Sequence, residues 1–282
     1  MIRGANQETN FQSILNFVRS SGEKRHPLLY GMAATVWESG REMKAVAGET
    51  GRIARRHWKP VVLALLVLAT LAAGLMTADN AGLELLTFSK KSSAQDLAKV
   101  LSRWGDYQTG LIALCGLAWL TGVIGRSFSW RQAAMAVLLG ATIAGLGANI
   151  LRFTVGRPRP SAGLRDGIHG PSLSSKYHGF PSAHAATSFG AAGVMVVICP
   201  PSAVVVLPLA TAVSWSRLQL RRHHPADALV GGGIGLVAGV LVGLAARKRL
   251  RGRSVSNFHH HGARTNEFPT PPALAAAKAT AA

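Results

Sequence analysis

The sequence predicts an all-α polytopic membrane protein, a bundle of six transmembrane helices, on three observations. Six apolar runs of near-spanning length occupy roughly 61–77, 109–125, 132–151, 184–199, 202–216 and 226–246. Basic residues gather at the ends of these runs: Lys and Arg number 31 against 12 Asp and Glu, a net charge of +19. Finally, the polar segments after the third run, before the fourth and between the fifth and sixth all emerge on one side when the crossings are counted. The 282 residues therefore divide into a polar, amphipathic N-terminal region (1–59), a six-span domain (60–246) and a basic tail (247–282) expected to be disordered.

In the N-terminal region, Phe11, Ile14, Leu15 and Val18 recur at helical spacing and predict an interfacial helix. The patch from Pro27 to Trp37 is too short to span and contains Gly31, so it reads as surface-associated or loosely ordered. Arg52, Arg55, Arg56 and Lys59 make a basic collar before the first span. No secretory signal is expected, because the first apolar run begins after residue 59 without a convincing cleavage site. Between the first two spans, Leu97, Val100, Leu101 and Trp104 mark an amphipathic segment lying along the interface. In the last span, Gly231, Gly235, Gly239 and Gly243 continue the row of Asp227 in steps of four, which lets a neighbouring helix approach closely.

The excess of positive charge flanks apolar runs, so it points to anionic lipid headgroups and phosphate rather than to nucleic acid. Cys115 and Cys199 lie within or at the end of spans and suggest no disulfide framework. His259, His260 and His261 read as a solvated tail rather than a metal site. No other ligand cluster stands out, and neither metal nor cofactor is expected.

Chemistry concentrates in three segments. LRFTVGRPRP (151–160) ends the third span, where Gly156 and the two prolines stop the helix and turn Arg152 and Arg159 back over its mouth. FPSAH (180–184) places Ser182 as an N-cap, so that the first backbone N–H groups face any anion there, with His184 in the first turn. SRLQLRRHHPAD (216–227) joins the last two spans, and its His223 and Asp227 fall on one helical face at i, i+4. Arg217 offers a planar guanidinium suited to a phosphate oxyanion. Each feature also has a plainer reading: a membrane collar for the arginines, capping alone for Ser182, an interfacial histidine for His184 and a helix-dipole charge for Asp227. The collar reading is preferred for Arg157 and Arg165, and a headgroup or rim reading for Arg221, Arg222 and His224.

Jointly, a basic residue, six residues and Arg-Pro; then Pro-Ser-x-His; then Ser-Arg, five residues, His, three residues and Asp resemble the signature of the type 2 phosphatidic acid phosphatase family. Two positions depart from it: Arg152 stands where the family usually has Lys, and Ala183 where it usually has Gly. The resemblance implies a membrane lipid phosphatase. His223 would attack phosphorus with Asp227 orienting it, and His184 would protonate the leaving oxygen. Arg152, Arg159, Ser182, Arg217 and the amide of Ala183 would hold the phosphate oxygens.

The substrate class is a phospholipid or isoprenoid lipid phosphate, with undecaprenyl diphosphate preferred over phosphatidic acid and phosphatidylglycerophosphate. That preference rests on Arg157, Arg221 and Arg222 holding a second phosphate. A lipid phosphotransferase with the same site, a vanadate-dependent haloperoxidase and a non-catalytic lipid-phosphate-binding protein are the alternatives. Short loops carry eleven basic residues on the terminal side and twelve on the side of the three segments. Setting aside Arg152, Arg159 and Arg217 as ligands favours cytoplasmic termini. The resemblance implies the same orientation in the cell (inner) membrane, with the site facing the periplasm or exterior.

Overall fold

The computed structural model describes residues 27–89 and 92–265, and among these there are helices and no strands. Nine α-helices follow in order among the described residues: α1 (Pro27–Arg56), α2 (Trp58–Met76), α3 (Asp79–Leu86), α4 (Ser93–Trp104), α5 (Ile112–Ile124), α6 (Phe128–Val155), α7 (Ala183–Ile198), α8 (Ala203–Gln219) and α9 (Pro225–Thr265). Among the described residues, five segments are long and apolar enough to cross a membrane: Trp58–Met76, Tyr107–Ile124, Phe128–Val155, Pro200–Gln219 and Pro225–Gly252. The remaining expected span, α7, has only 16 residues, about 24 Å of rise.

Helix α7 sits in the core, packed between α6, α8 and α9. Its Ala185, Ala186, Thr187, Gly190, Ala192, Gly193 and Val194 are buried. Flanked in this way, it needs no full lipid-facing length. The glycine stripe of α9 explains the closeness. A Cβ on Gly235 would lie 2.3 Å from the Ala186 carbonyl oxygen, and one on Gly239 2.3 Å from that of Gly190. Any side chain there would force the helices apart, and with them the ends that carry Ser182 and Asp227.

Two expectations at the terminal end need correction. The patch at 27–37 belongs to a continuous 30-residue helix, α1. Its carboxylates meet basic residues of α6 and α9: Glu38 with Arg131 at 3.1 Å, Glu42 with Arg249 at 3.0 Å and Glu49 with Lys248 at 2.7 Å. The amphipathic pattern at 11–18 lies outside the described residues. At the other terminus α9 continues through RKRLRGR as helix to Thr265 instead of fraying after Arg247. Lys and Arg are good helix formers, and Glu42 and Glu49 pin them against α1.

The segment between the first two spans is amphipathic as expected. Leu97, Val100 and Trp104 project outward from α4 while Ala98 and Ser102 are buried. Helix α3, in contrast, starts with the fully buried Asp79. It is tied into the end of the bundle where the three polar segments meet.

Candidate active site

Helix α6 ends as its sequence dictates. Gly156 adopts the left-handed conformation (φ 62°), and a Cβ there would lie 1.8 Å from the Gly170 carbonyl oxygen. Arg152 occupies the last turn, and Arg159 lies beyond the break, its Nε donating to the His178 carbonyl at 3.4 Å. Ser182 is the N-cap of α7: its hydroxyl accepts from the Ala185 amide at 3.4 Å, and its own N–H donates to the Asp227 carbonyl at 2.9 Å. Ala183 and His184 open the helix, where backbone N–H groups lack intrahelical acceptors. The loop from α8 to α9 brings Arg217, His223 and Asp227 to the same end. The expected residues thus converge from four helix ends.

Arg152 and Arg217 share an unusual property: each has a buried Nε with no hydrogen-bond partner among the described residues. Burying an unpaired guanidinium N–H is costly, and an oxyanion in the mouth would supply the missing acceptors. Arg217 also donates from Nη1 to Ser102.

His223 is 1% exposed and Asp227 fully buried. The hydrogen bond that their spacing predicts is not the one formed. The Nδ1–H of His223 donates to the Gly179 carbonyl at 2.5 Å, while the nearest Asp227 oxygen lies 3.9 Å away. Asp227 is near enough to stabilise an imidazolium, but the backbone selects the tautomer and leaves Nε2 unprotonated. Burial, then Arg217 and Arg152, push the His223 pKa well below the ordinary imidazole value, so the ring is neutral and nucleophilic.

Asp227 serves mainly as an anchor. One oxygen accepts from Arg157 at 2.8 Å and the other from the His224 amide at 2.6 Å. Arg157 is no membrane collar: it is 2% exposed. It donates to Asp79 at 2.8 Å and grips Asp166 in a two-pronged pair at 3.0 and 2.7 Å. Burial opposes its charge, but Asp166, Asp227 and Asp79 hold its pKa above the ordinary arginine value. Asp79 in turn accepts from the Ala226 amide at 2.9 Å. His224, read as rim, is likewise buried beside Asp227. Arg221 does sit on the rim but is engaged by Glu84 at 2.6 and 3.0 Å. Of the three arginines expected to hold a second phosphate, only the exposed Arg222 has no carboxylate partner among the described residues. It lies close enough to Arg159 to lower its pKa, after burial, which acts more strongly.

Asp79, Asp106, Asp166 and Gly179 were not singled out by sequence. Asp79, Asp106 and Gly179 act across long separations and Asp166 from nine residues beyond Arg157, with no local pattern except that Asp106 precedes a polar turn and an apolar run, the usual N-cap signal.

The mouth thus brings a buried histidine together with two arginines whose Nε groups lack acceptors among the described residues. Residues 133–251 match the PAP2 superfamily. Over 162 residues the chain is 32% identical to decaprenylphosphoryl-5-phosphoribose phosphatase from two strains of Mycobacterium tuberculosis, CDC 1551 / Oshkosh and H37Rv. The match covers 55% of this chain and 82% of each relative. The crystal structure of a transmembrane PAP2-type phosphatidylglycerolphosphate phosphatase from Bacillus subtilis shares the fold, with a TM-score of 0.50 and 20% identity. That likeness covers 64% of this chain and 92% of the other. The chain belongs to the PAP2 superfamily and is a multi-pass membrane phosphatase.

Proposed function

We propose that the chain hydrolyses a phosphate ester carried on a membrane lipid, through a phosphohistidine. Nε2 of His223 attacks phosphorus as the bond to the lipid oxygen breaks, and His184 gives that oxygen its proton. Water, losing a proton to His184, then cleaves the phosphorus–nitrogen bond and releases phosphate. Arg152, Arg159, Arg217, Ser182 and the Ala183 amide neutralise the oxygens in both steps. The observation that carries this reading is the pair of buried, partnerless Nε groups on Arg152 and Arg217, in the same mouth as a neutral His223.

A lipid substrate is supported by a cavity of about 640 Å³ whose lining includes Trp104, Leu114, Trp130, Met195 and Leu209. Its lining also includes Gly105, the residue before Asp106. Among lipids, a phosphomonoester on a polyprenyl carrier is favoured, because the mycobacterial relatives are named for a substrate on a decaprenyl lipid. A diphosphate has less support, since Arg157 and Arg221 are occupied by carboxylates. The site is read as facing the periplasm or exterior, with cytoplasmic termini, from the balance of basic residues outside the phosphate ligands.

The test is a rapid-quench reaction of purified protein in detergent with a radiolabelled polyprenyl-linked phosphomonoester. An acid-labile, base-stable phosphoenzyme is expected in the wild type and none in His223→Ala, which also loses phosphate release. Undiminished release by that variant would sink the mechanism. Faster turnover of phosphatidic acid or phosphatidylglycerophosphate at equal surface concentration would overturn the substrate preference alone.

A further inference from the structure

Beside His184 stands a second carboxylate that no motif includes. Asp106 precedes a five-residue π-helical turn, Tyr107–Leu111, that leads into α5. Such turns are rare and frequently accompany functional sites. This one is held tightly: a Cβ on Gly110 would lie 1.9 Å from the Trp104 carbonyl oxygen. Oδ1 of Asp106 accepts from the Gln108 and Thr109 amides and the Thr109 hydroxyl, at 3.1, 3.0 and 3.1 Å. Three donors on one oxygen fix the carboxylate plane and leave Oδ2 to face Nε2 of His184, 3.6 Å away.

We infer that Asp106 is the positioning partner of His184, a second carboxylate–histidine pair serving the acid–base half of the reaction. The inference rests on the role of His184 proposed above. An imidazole that gives a proton to a leaving oxygen must first carry positive charge. Burial, then Arg217, Arg152 and Arg159, oppose that charge; Asp106, 3.6 Å from the ring, is the carboxylate that favours it among the described residues. The pair therefore stabilises the imidazolium before the proton is given, and orients the ring as the acid. When the phosphorus–oxygen bond breaks, its electron pair takes the proton from His184, and the neutral ring later receives one from water. Asp106 touches neither substrate nor phosphorus. Its effect passes through the histidine.

The leaving group separates this role from a structural one. An alkoxide leaving group needs the acid, whereas an aryloxide departs without it. The experiment compares Asp106→Asn, whose amide oxygen keeps the turn capped, on dodecyl phosphate and on p-nitrophenyl phosphate in detergent. The kcat/KM of the alkyl ester, which reports only the steps up to departure of the leaving group, is expected to fall about 30-fold and that of the aryl ester less than about 3-fold, a part of the roughly 10²–10⁴-fold that a general acid supplies. The ratio within one preparation does not depend on the folded fraction. His184→Ala should show the same selectivity more strongly, and the double variant should be no slower than His184→Ala. Equal losses on both esters in Asp106→Asn, or further loss in the double variant, would overturn the pairing. Equal losses on both esters in His184→Ala would instead refute the acid role on which it rests.

Discussion

Arg157 and Arg217 have the same side chain and lie at the same end of the bundle, the first buried and the second half-buried with a buried Nε, yet their surroundings are opposite. Arg157 is saturated: Asp79, Asp166 and Asp227 accept its hydrogen bonds at 2.7–3.0 Å. Arg217, like Arg152, buries an Nε without an acceptor. The difference teaches how a site is told from its scaffold here. A buried cation whose charge is fully answered holds helices together, whereas one left short of acceptors is arranged for a ligand. Arg157 joins the start of α3, the loop after α6 and the start of α9, so it fixes Asp227 from behind. Arg152 and Arg217 leave their unmet demand toward the mouth, where phosphate supplies what the protein does not.

The largest effect that would break this contrast is on catalysis. Arg217→Ala is expected to lower kcat/KM by about 10³-fold, the upper range for removing one oxyanion donor, while leaving the thermal midpoint unchanged. A large fall in midpoint with activity per folded molecule preserved would make Arg217 scaffold like Arg157. The next effect is on stability. Arg157→Leu leaves Asp79 and Asp227 buried without their cation and is expected to cost about 3–5 kcal/mol, read as a lowered denaturation midpoint in detergent. A variant as stable as the wild type would remove Arg157 from the scaffold.

The smallest effect concerns pH and sharpens the comparison. Burial and the Arg217 and Arg152 charges keep His223 neutral well below the ordinary imidazole range. The acid limb of kcat/KM belonging to it therefore lies below about pH 6.5. Arg152→Gln removes a like charge, makes the imidazolium easier to form, and moves that limb to higher pH. The sign for stability follows: the folded state binds fewer protons at His223 than the unfolded chain, so this term weakens the fold as pH falls through the unfolded value. An acid limb that stays put in Arg152→Gln would mean that Arg152 does not share the histidine's electrostatic surroundings.

What could be read from the sequence was local. Span periodicity, the Gly156 break, the Ser182 cap and the glycine stripe follow rules that operate within a few residues, and all four recur in the structure. Arg157 illustrates the limit. It sits two residues before Arg159 in one motif, but its partners Asp79 and Asp227 are 78 and 70 residues away. Nothing in its neighbours distinguishes a buried hub from a rim charge. His223 shows a subtler limit, since its i, i+4 spacing placed Asp227 nearby while a backbone carbonyl, that of Gly179, took the hydrogen bond. Helix α1 was illegible for the same reason: its glutamates are answered by residues up to 207 positions away.

Helix α9 also works as a ruler. Its 41 residues rise about 62 Å, roughly twice the hydrocarbon thickness of about 30 Å. Since it starts at the mouth with Asp227, the part from Arg247 to Thr265 stands beyond the bilayer as a mast. A fluorescent or alkaline-phosphatase reporter fused after Thr265 would be carried clear of the lipid surface and of the catalytic mouth. Fluorescence without alkaline-phosphatase activity would place the mast in the cytoplasm, and the reverse would invert the proposed orientation without altering any distance within the site.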